Sequence, residues 1–421
     1  MISRNCKLFD DFEISATRNV TDDFIHYIEA FCDFGTSTKK SYIHVGKEPI
    51  PVFTNEFWTS KQRAAHSLHE ISYRACFKPQ LPHFFIDKLT IEGDVVFDPF
   101  MGRGTTLLEG VLCGRNVVGC DVNPLSKIIT EPRLNPPYIK LIEERINNIS
   151  LDWKEEIPDE LLVFYHENTL RELCALRDYF KIKGPKTDIV DKWIRMIATN
   201  RLTGHSPGFF SVYTLPPNQA VTVKRQEMIN LKRNQIPEYR DVKKIIIKKS
   251  KSLLSDVNKK DIEMFNKYGV KAKIIIGSSD NVEGIRANSV SLVVTSPPFL
   301  NIVDYSTDNW LRCWFNSIDN DSIPIWMFKK IEEWKDAMTR AFIKMHDLLK
   351  TNGFVAFEVG EVRNGKVKLE DYVIPAAEAA GLVPILVLIN DQEFTKTSNC
   401  WGVDNLQKGT NTNRIILLQK K

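Results

Sequence analysis

Two short segments of the chain place a polar residue before two prolines and an aromatic residue. They are TSPPF at 295–299 and LNPPY at 134–138. Proline has no backbone N–H and fixes its own φ, so each pair leaves a stiff set of oxygen acceptors. Such a set suits a substrate that brings N–H donors, for example the exocyclic amino group of a nucleobase. The aromatic residue that follows offers an apolar face to a planar ring.

The surroundings of the two segments differ. TSPPF follows the apolar run SLVV, which is typical of a buried strand, whereas LNPPY follows TEPR and precedes the charged helix pattern IKLIEERI. In α/β proteins, ligands bind at the carboxyl ends of the strands. We therefore predict that Ser296, Pro297, Pro298 and Phe299 form a reaction centre. LNPPY is interpreted as a loop that leads into a helix.

A glycine-containing turn, DPFMGRGTT at 98–106, follows another apolar run. Gly102 and Gly104 allow a tight turn and a close approach to a ligand, and the next helix presents its free N–H groups there. Leu107 stands where a dinucleotide fingerprint has its third glycine, and no GK[ST] follows, so an NAD site is disfavoured and a P-loop is excluded. Asp121, 17 residues after Gly104, is placed to accept a ribose hydroxyl. This combination favours a nucleoside cofactor without a pyrophosphate, and S-adenosylmethionine fits that description.

The elements that must position these residues follow an α/β pattern. Apolar runs predict strands at 94–97, 116–122, 271–277, 291–295, 353–360, 382–389 and 413–419. The first two flank a helix at about 105–113, which predicts a parallel, Rossmann-like sheet with helices on both faces. A charged, mainly helical insertion interrupts this sheet. The predicted organisation is a helical N-terminal extension (1–55), a catalytic domain (56–137 and 266–421) and an insertion (138–265) as the candidate target-recognition region.

Composition narrows the class of protein. The 421 residues are 43% apolar and 26% charged, as in soluble globular proteins. No apolar run reaches membrane-spanning length, and the N-terminus lacks the apolar stretch of a secretory signal, so we expect a cytoplasmic protein without a membrane partner. The eight cysteines form no CxxC pair and show no zinc spacing, which predicts reduced thiols and no metal site.

Positive charge is concentrated between residues 224 and 251, where ten Lys and Arg face three acids, although the whole chain carries only +4. This run is either a solvated helix face or a surface that follows phosphates. Its candidate DNA contacts are Lys243, Lys244, Lys248 and Lys249. The loop HSPGFFSVYTLPPN at 205–218 adds His205 and Tyr213 as candidate contacts, with a buried structural loop as the alternative.

DPFMGRGTT, GCDVN and VVTSPPF together resemble the motifs of DNA amino-methyltransferases, especially the cytosine-N4 group. The resemblance covers about residues 60–130 and 270–421, and the glycine loop precedes the Ser-Pro-Pro segment, as in members that carry target recognition between the two. It implies a methyl transfer from S-adenosylmethionine to the N4 amine of a flipped cytosine, with Ser296, Pro297, Pro298 and Phe299 at the base. Phe299 departs from the commoner tyrosine, so the phenolic hydroxyl is absent and the stacking face is kept.

The resemblance also implies a set of cofactor-binding residues. The glycine-loop segment and GCDVN would hold S-adenosylmethionine. RACFKPQLPHFFI at 74–86 is similar to the cofactor-binding segment that precedes the glycine loop, and Asp280 matches a position that contacts the adenine. The implied cofactor residues are Phe77, Asp98, Phe100, Gly102, Gly104, Thr105, Thr106, Asp121 and Asp280.

Three functions remain open from the sequence. The first is a site-specific DNA cytosine-N4 methyltransferase of a restriction–modification system, with double-stranded DNA and a cognate endonuclease as partners. The second is an adenine-N6 or RNA amino-methyltransferase, although Ser296 stands where adenine-N6 members usually carry Asp or Asn. The third is a non-catalytic nucleic-acid-binding subunit. A cytosine-C5 enzyme is disfavoured because no Pro-Cys dipeptide supplies its nucleophile.

Overall fold

The computed structural model describes residues 19–58, 65–73, 76–214, 221–298, 305–359, 361–362, 367–391 and 412–421. The helices, in chain order, are α1 (Val20–Ala30), α2 (Gln80–Leu89), α3 (Thr105–Leu112), α4 (Pro124–Leu134), α5 (Ile139–Asn148), α6 (Glu167–Lys183), α7 (Ile189–Arg201), α8 (Val223–Arg233), α9 (Val242–Leu253), α10 (Lys259–Lys267), α11 (Tyr305–Asn316), α12 (Ile331–Leu348) and α13 (Glu370–Ala379). The strands are β1 (Lys39–Ile43), β2 (Ile50–Asn55), β3 (Val95–Asp98), β4 (Asn116–Asp121), β5 (Lys273–Ile276), β6 (Val290–Thr295), β7 (Leu349–Val359), β8 (Glu361–Val362), β9 (Val367–Lys368), β10 (Leu382–Asp391) and β11 (Thr412–Lys420). Among these elements, no helix combines the length and the apolarity that a bilayer crossing requires.

The described strands form one large sheet in the order β1-β2-β10-β11-β7-β6-β3-β4-β5, and β8 pairs with β9 separately. The five strands β3 to β7 run parallel, and β11 is antiparallel to both of its neighbours, β7 and β10. The chain leaves β3 toward β4 on one side and returns to β6 on the other. This reversal creates a crevice outside the carboxyl ends of β3 and β6, where α/β sheets bind ligands.

Helices cover both faces of the sheet because the side chains of its central strands alternate between two cores. Phe97 and Val293 pack in a core shared with α12 and α13, whereas Val96 and Leu292 pack in one shared with α1 and α2. All these side chains are fully buried. The predicted Rossmann-like sheet with helices on both faces is therefore confirmed, and each predicted strand is found within a few residues of its expected bounds.

The N-terminal part of the chain differs from the predicted helical extension. Residues 1–18 lie outside the described part, α1 follows, and residues 39–55 then form the β1–β2 hairpin. β2 adds to the sheet by pairing in parallel with β10. The helical interpretation was wrong here because β1 is almost wholly exposed, so it lacks the apolar alternation that indicates a strand.

The insertion is helical, as predicted, and it contains α5 to α10. It does not have a hydrophobic core of its own. Trp193 of α7 and Ile246 of α9 belong to the same buried cluster as Leu107 and Leu108 of α3. The insertion is therefore anchored on the helix that follows the glycine loop, which ties its position to the ligand-binding edge of the sheet.

Candidate active site

A cleft opens at the carboxyl ends of β3, β4 and β6, and both sequence motifs line it. The glycine loop contributes Asp98, Gly102 and Thr105, and the Ser-Pro-Pro segment contributes Ser296 and its two prolines. The described residues that line it are Tyr73, Cys76, Phe77, Asp98, Pro99, Phe100, Met101, Gly102, Thr105, Asp121, Val122, Asn123, Gly277, Ser278, Ser279, Ser296, Pro297, Pro298, Ile325 and Trp326. The two motifs, almost 200 positions apart in the chain, thus face one shared space.

Asp121 fixes the shape of the glycine loop. Its Oδ2 accepts a hydrogen bond of 2.9 Å from the Gly102 amide, and its Oδ1 accepts one of 2.8 Å from the Asn123 amide. Gly102 has a φ of +47°, which residues with a side chain rarely adopt, and a Cβ there would stand 3.7 Å from the Tyr73 ring. Each carboxylate oxygen keeps a second lone pair, so Asp121 can hold the loop and still accept a hydrogen bond from a ligand.

Two carboxyl groups with perturbed pKa values face the cleft. Burial raises the pKa of Asp98 to about 7, although hydrogen bonds from the Thr295 hydroxyl (2.6 Å) and the Phe100 amide (3.1 Å) favour its ionised form. Desolvation also raises the pKa of Asp121, against the pull of its two amide donors. A cleft that holds two desolvated acids is complementary to a ligand with positive charge, because such a ligand stabilises the ionised forms.

The Ser-Pro-Pro segment continues directly from β6. Thr295 is the last, fully buried residue of the strand, and Ser296 is partly exposed in the cleft. The indole N–H of Trp334, on α12, donates a hydrogen bond of 3.0 Å to the Pro298 carbonyl. One acceptor of the segment is thereby used to anchor it, which leaves the Ser296 hydroxyl and the preceding carbonyls as the candidate acceptors for a substrate.

Arg103 connects the glycine loop to the segment before α2. Its guanidinium donates to the carbonyls of Ile71 (3.1 Å) and Phe77 (3.3 Å), and its Nε donates to Thr105 Oγ1 (3.0 Å). Phe77 lines the cleft, as the resemblance implied. The central arginine of DPFMGRGTT therefore positions cleft residues by bonding to their backbone.

Three implied cofactor residues do not line the cleft. Gly104 has a φ of +70° and precedes α3, and a Cβ there would stand 2.2 Å from Thr130 Cγ2, so it permits close packing with α4. The buried Thr106 hydroxyl donates to the Val294 carbonyl (3.1 Å) and joins α3 to β6. Asp280 accepts from Ser278 Oγ (2.5 Å) and from Arg340 Nε (3.1 Å). The packing and hydrogen bonds of these three residues position the loop, and their contact with the cofactor stays a prediction.

Phe299, the expected stacking residue, lies outside the described residues, so its role stays a prediction. The second Pro-Pro segment behaves as predicted. Residues 135–138 form the loop between α4 and α5, and Tyr138 is largely exposed. Asn135, Pro136 and Pro137 are absent from the cleft lining, which separates LNPPY from the site.

The sequence analysis did not single out several other cleft residues. Tyr73 and Cys76 precede α2, Ser278 and Ser279 follow β5, and Trp326 lies in the loop before α12. Trp326 packs edge-on against Phe100, with ring centroids 5.8 Å apart. The serines after β5 could have been found from their place at a strand end, whereas Tyr73 and Trp326 are brought in by the fold.

The candidate DNA contacts separate into several environments. Phe209 and Phe210 of the 205–218 loop are buried, in agreement with the structural alternative for that loop. Tyr213 carries the guanidinium of Arg233 on its ring, 3.7 Å from the centroid, and His205 lies against the Phe209 ring at 6.0 Å.

The four candidate lysines of α9 also lie in different environments. Lys244, Lys248 and Lys249 line one cavity, whereas the Lys243 ammonium donates to the Asn147 carbonyl (3.0 Å).

The cleft fits the implied cofactor, S-adenosylmethionine. Gly102 lines the cleft without a side chain, so a ligand can lie close to its backbone. Asp121 offers acceptor lone pairs, and Asp98 and Asp121 supply negative charge for a cationic ligand. The apolar faces of Phe77 and Phe100 border the same space. The cleft is thus suited to a ligand that combines a nucleoside with a positive charge.

Comparison with known proteins identifies several methyltransferases as relatives. Residues 27–131 match the N6/N4 methyltransferase family model, described as DNA methylase. The Type II methyltransferase M.BsoBI of Geobacillus stearothermophilus is 24% identical over 339 residues, which cover 74% of this chain and 63% of that protein. The Type II methyltransferase M.MvaI of Kocuria varians is 29% identical over 141 residues, which cover 32% of this chain and 27% of that protein.

An RNA enzyme is also similar to part of the chain. The tRNA (guanine(10)-N2)-dimethyltransferase of Methanocaldococcus jannaschii is 29% identical over 107 residues, which cover 22% of this chain and 30% of that protein. The matched segments span less than two thirds of the length of each of these relatives.

Proposed function

We propose that this chain, which belongs to the DNA amino-methyltransferase family, methylates an exocyclic amino group of DNA. S-adenosylmethionine would supply the methyl group as an electrophilic sulfonium. The observation that carries the proposal is that Asp98 and Ser296 line one cleft and are joined through Thr295. A cofactor held at the glycine loop and a base held at the Ser-Pro-Pro segment would therefore meet at neighbouring strand ends.

Within this activity we favour the N4 amine of cytosine. The amino lone pair of cytosine is delocalised into the ring, so the nitrogen is a weak nucleophile. Hydrogen bonds from the amino hydrogens to Ser296 Oγ and to the Pro297 carbonyl would localise the lone pair on the nitrogen. Preorganised acceptors and correct positioning are the contributions that the protein can make to such a transfer.

The identity of the polar residue supports cytosine over adenine. Ser296 precedes the two prolines here, whereas adenine-N6 members of the family usually present an Asp or Asn side chain at that position. The base must leave the duplex to reach the cleft, so a stacking face such as that of Phe299 is expected beside it. This assignment depends on one residue position, and the chemistry of the product tests it.

The deciding experiment incubates the purified protein with S-adenosylmethionine and unmethylated genomic DNA. Nucleoside mass spectrometry then identifies the product, and modification-aware sequencing locates it. We expect N4-methylcytosine at one sequence motif. N6-methyladenine without N4-methylcytosine would overturn the base assignment, and binding of S-adenosylmethionine without methyl transfer would favour a non-catalytic subunit.

A second candidate is methylation of an RNA amino group. It is favoured by the partial similarity to the tRNA (guanine(10)-N2)-dimethyltransferase. The same assay with total tRNA as the acceptor separates the two. Methylated guanosine or adenosine in tRNA, together with unmodified DNA, would select the RNA activity.

A place in a restriction–modification system is part of the proposal because two relatives are named Type II methyltransferases. The partner would then be an endonuclease that cuts the same motif when it is unmethylated. Once the motif is known, methylated and unmethylated plasmids can be challenged with an endonuclease of that specificity. Protection of only the methylated plasmid is the expected result.

A further inference from the structure

A second cavity lies between α9 and the loop after α7, and cations line it. α9 contributes Lys244, Lys248 and Lys249, and α7 ends at Arg201, which closes one side. The i, i+4 spacing of Lys244 and Lys248 places both on one face of α9. Gly208 is the backbone that borders the opposite side.

Arg201 is the most unusual of these residues because its guanidinium is buried but not fully hydrogen-bonded. Only 9% of it is exposed, and its Nε has no hydrogen-bond partner among the described residues. Its Nη2 donates to Asn200 Oδ1 (2.5 Å), and its guanidinium stacks on the Phe209 ring, 4.1 Å from the centroid. Burial lowers the pKa of Arg201 to about 10, and the nearby Arg312 adds to this effect. A buried cation with an open donor is stabilised by an anion.

The acids around the cavity do not neutralise it. Glu70 lies 3.4 Å from the Lys249 ammonium, and Asp241 lies 3.1 Å from that of Lys244. Both acids approach from outside the cavity lining, and the Glu70 side chain is 62% exposed. Lys248 has no salt bridge among the described residues, and Arg201 has none either. Four cations and two acids leave an excess of positive charge around an open Arg donor.

Hydrogen bonds link this cavity to the cleft. Asn200, which accepts from Arg201, donates through Nδ2 to the Ser72 carbonyl (3.1 Å). Arg312 donates to the same carbonyl (3.2 Å). The next residue, Tyr73, lines the cleft. The side chains at one end of the cavity are therefore bonded to the segment that lines the cleft.

We propose that this cavity binds a single backbone phosphate of the nucleic acid whose target base enters the cleft. The inference rests on the proposed function, since it assigns the substrate of the same enzyme a second contact. The Arg201 guanidinium supplies a planar, directional donor, and Lys244, Lys248 and Lys249 supply point charges. This contact would fix the register of the strand without reading its sequence.

Charge-removing variants on α9 test the proposal. In Lys248→Gln, an exposed cation of the cavity is lost. The matched control is Lys251→Gln on the same helix, because the Lys251 ammonium pairs with Glu143 (2.7 Å) and does not line the cavity. The affinity for a fluorescent 30-base-pair DNA duplex is measured from 50 to 300 mM KCl. We expect Lys248→Gln to reduce the slope of log affinity against log salt by about 0.9 and Lys251→Gln to leave it unchanged.

Methylphosphonate scanning locates the phosphate. Each phosphate of one strand is neutralised in turn, and the parent should show one position with a marked loss of affinity. That loss should be smaller in Arg201→Gln and in Lys248→Gln, because each variant has already lost part of the contact. Lys248→Gln keeps the test valid where the buried Arg201→Gln fails to fold. The inference would be overturned if neutralising that phosphate reduced the affinity of both folded variants as much as that of the parent. An unchanged salt slope in Lys248→Gln would also overturn it.

Methyl transfer is measured in the same samples to separate this inference from the proposed function. DNA methylation together with an unaltered salt slope would refute the phosphate cavity and leave the function standing. If the variants reduce the effect of neutralising one phosphate but the parent does not methylate DNA, the proposed function is refuted and the phosphate site is retained.

Discussion

The Thr295 hydroxyl donates a hydrogen bond of 2.6 Å to Oδ1 of Asp98. This bond joins the last residue of β6 to the last residue of β3, and so it links the Ser-Pro-Pro segment to the glycine loop. Both groups are buried. The protonation state of Asp98 and the placement of Ser296 are therefore coupled through a single side chain.

The first prediction concerns the pH dependence of cofactor binding. Because burial raises the pKa of Asp98 to about 7, the ligand-free carboxyl is mostly protonated below that pH. A cationic ligand prefers the ionised form, so protonation competes with binding. We expect the affinity for S-adenosylmethionine to fall about tenfold per pH unit below 7 and to level off above it. Calorimetry from pH 5.5 to 8.5 measures this, and a flat profile would contradict it.

Thr295→Val sharpens this test. The variant removes a hydrogen bond that favours the ionised carboxylate, so the pKa of Asp98 and the midpoint of the profile should rise. A hydrogen bond to a charged group is worth about 1.5–3 kcal/mol, which corresponds to about one to two pH units. Thr199→Val is the control, because that buried hydroxyl donates to the Arg195 carbonyl within α7. Its midpoint should match that of the parent.

The second prediction compares two acids that the family resemblance assigns to the cofactor. Asp121 lines the cleft, whereas Asp280 is engaged by Ser278 and Arg340 outside the lining. Asp121→Ala removes both the ligand acceptor and the bond that holds Gly102, so cofactor affinity should fall by at least about tenfold. DNA affinity should change little. An Asp280→Ala variant that loses more cofactor affinity than Asp121→Ala would refute the assignment made from the structure.

The third prediction concerns the stability of the glycine loop. Gly102 and Gly104 both have positive φ, but only at Gly104 would a Cβ overlap a neighbour, Thr130. Gly102→Ala should lower the free energy of unfolding by about 1–2 kcal/mol through backbone strain alone. Gly104→Ala should lower it further, by about another 1–3 kcal/mol of overpacking. Urea denaturation measures both values, and equal losses would contradict the packing role of Gly104.

The loop residues also show how far the sequence predicted the site. Buried apolar runs identified β3, β4 and β6, and the motifs at their ends located the cleft. The motif letters did not show which residues line the cleft, so the sequence could not separate Gly104, Thr106 and Asp280, which lie outside the lining, from their neighbours within it. That choice depends on how α3 packs against α4 and β6, which is a long-range property.

Two other features lay beyond local patterns. β1 is exposed and lacks an apolar signature. β2 is largely buried, but its partner in the sheet is β10, which is more than 300 residues away in the chain. The burial of Arg201 is equally non-local. Phe209, in the loop after α7, packs on the guanidinium, and the Arg201 Nε is left without a hydrogen-bond partner among the described residues. The sequence alone does not show this arrangement.

The fourth prediction concerns the anchor of the Ser-Pro-Pro segment. Trp334→Phe keeps an aromatic side chain in the buried site but removes the N–H that holds the Pro298 carbonyl. Misplacement of a reacting group can reduce the rate by up to about 10²-fold, so methyl transfer should slow while cofactor affinity is kept. Trp193→Phe is the matched control, because its indole N–H bonds to Ser250 Oγ in the helical insertion. A loss of rate equal in both variants would indicate a general loss of stability.

The most direct test of the account compares Ser296→Ala with Asn135→Ala in single-turnover methylation of DNA. Ser296 faces the cleft, and Asn135 occupies the equivalent position of the loop segment LNPPY. Loss of one preorganised hydrogen bond typically reduces a rate constant by about 10²–10³, and we expect this in Ser296→Ala with nearly unchanged binding of S-adenosylmethionine. Asn135→Ala should react at the parent rate. A folded Asn135→Ala variant without transfer, beside an active Ser296→Ala variant, would show that the other Pro-Pro segment is the reaction centre and would reopen adenine as the target.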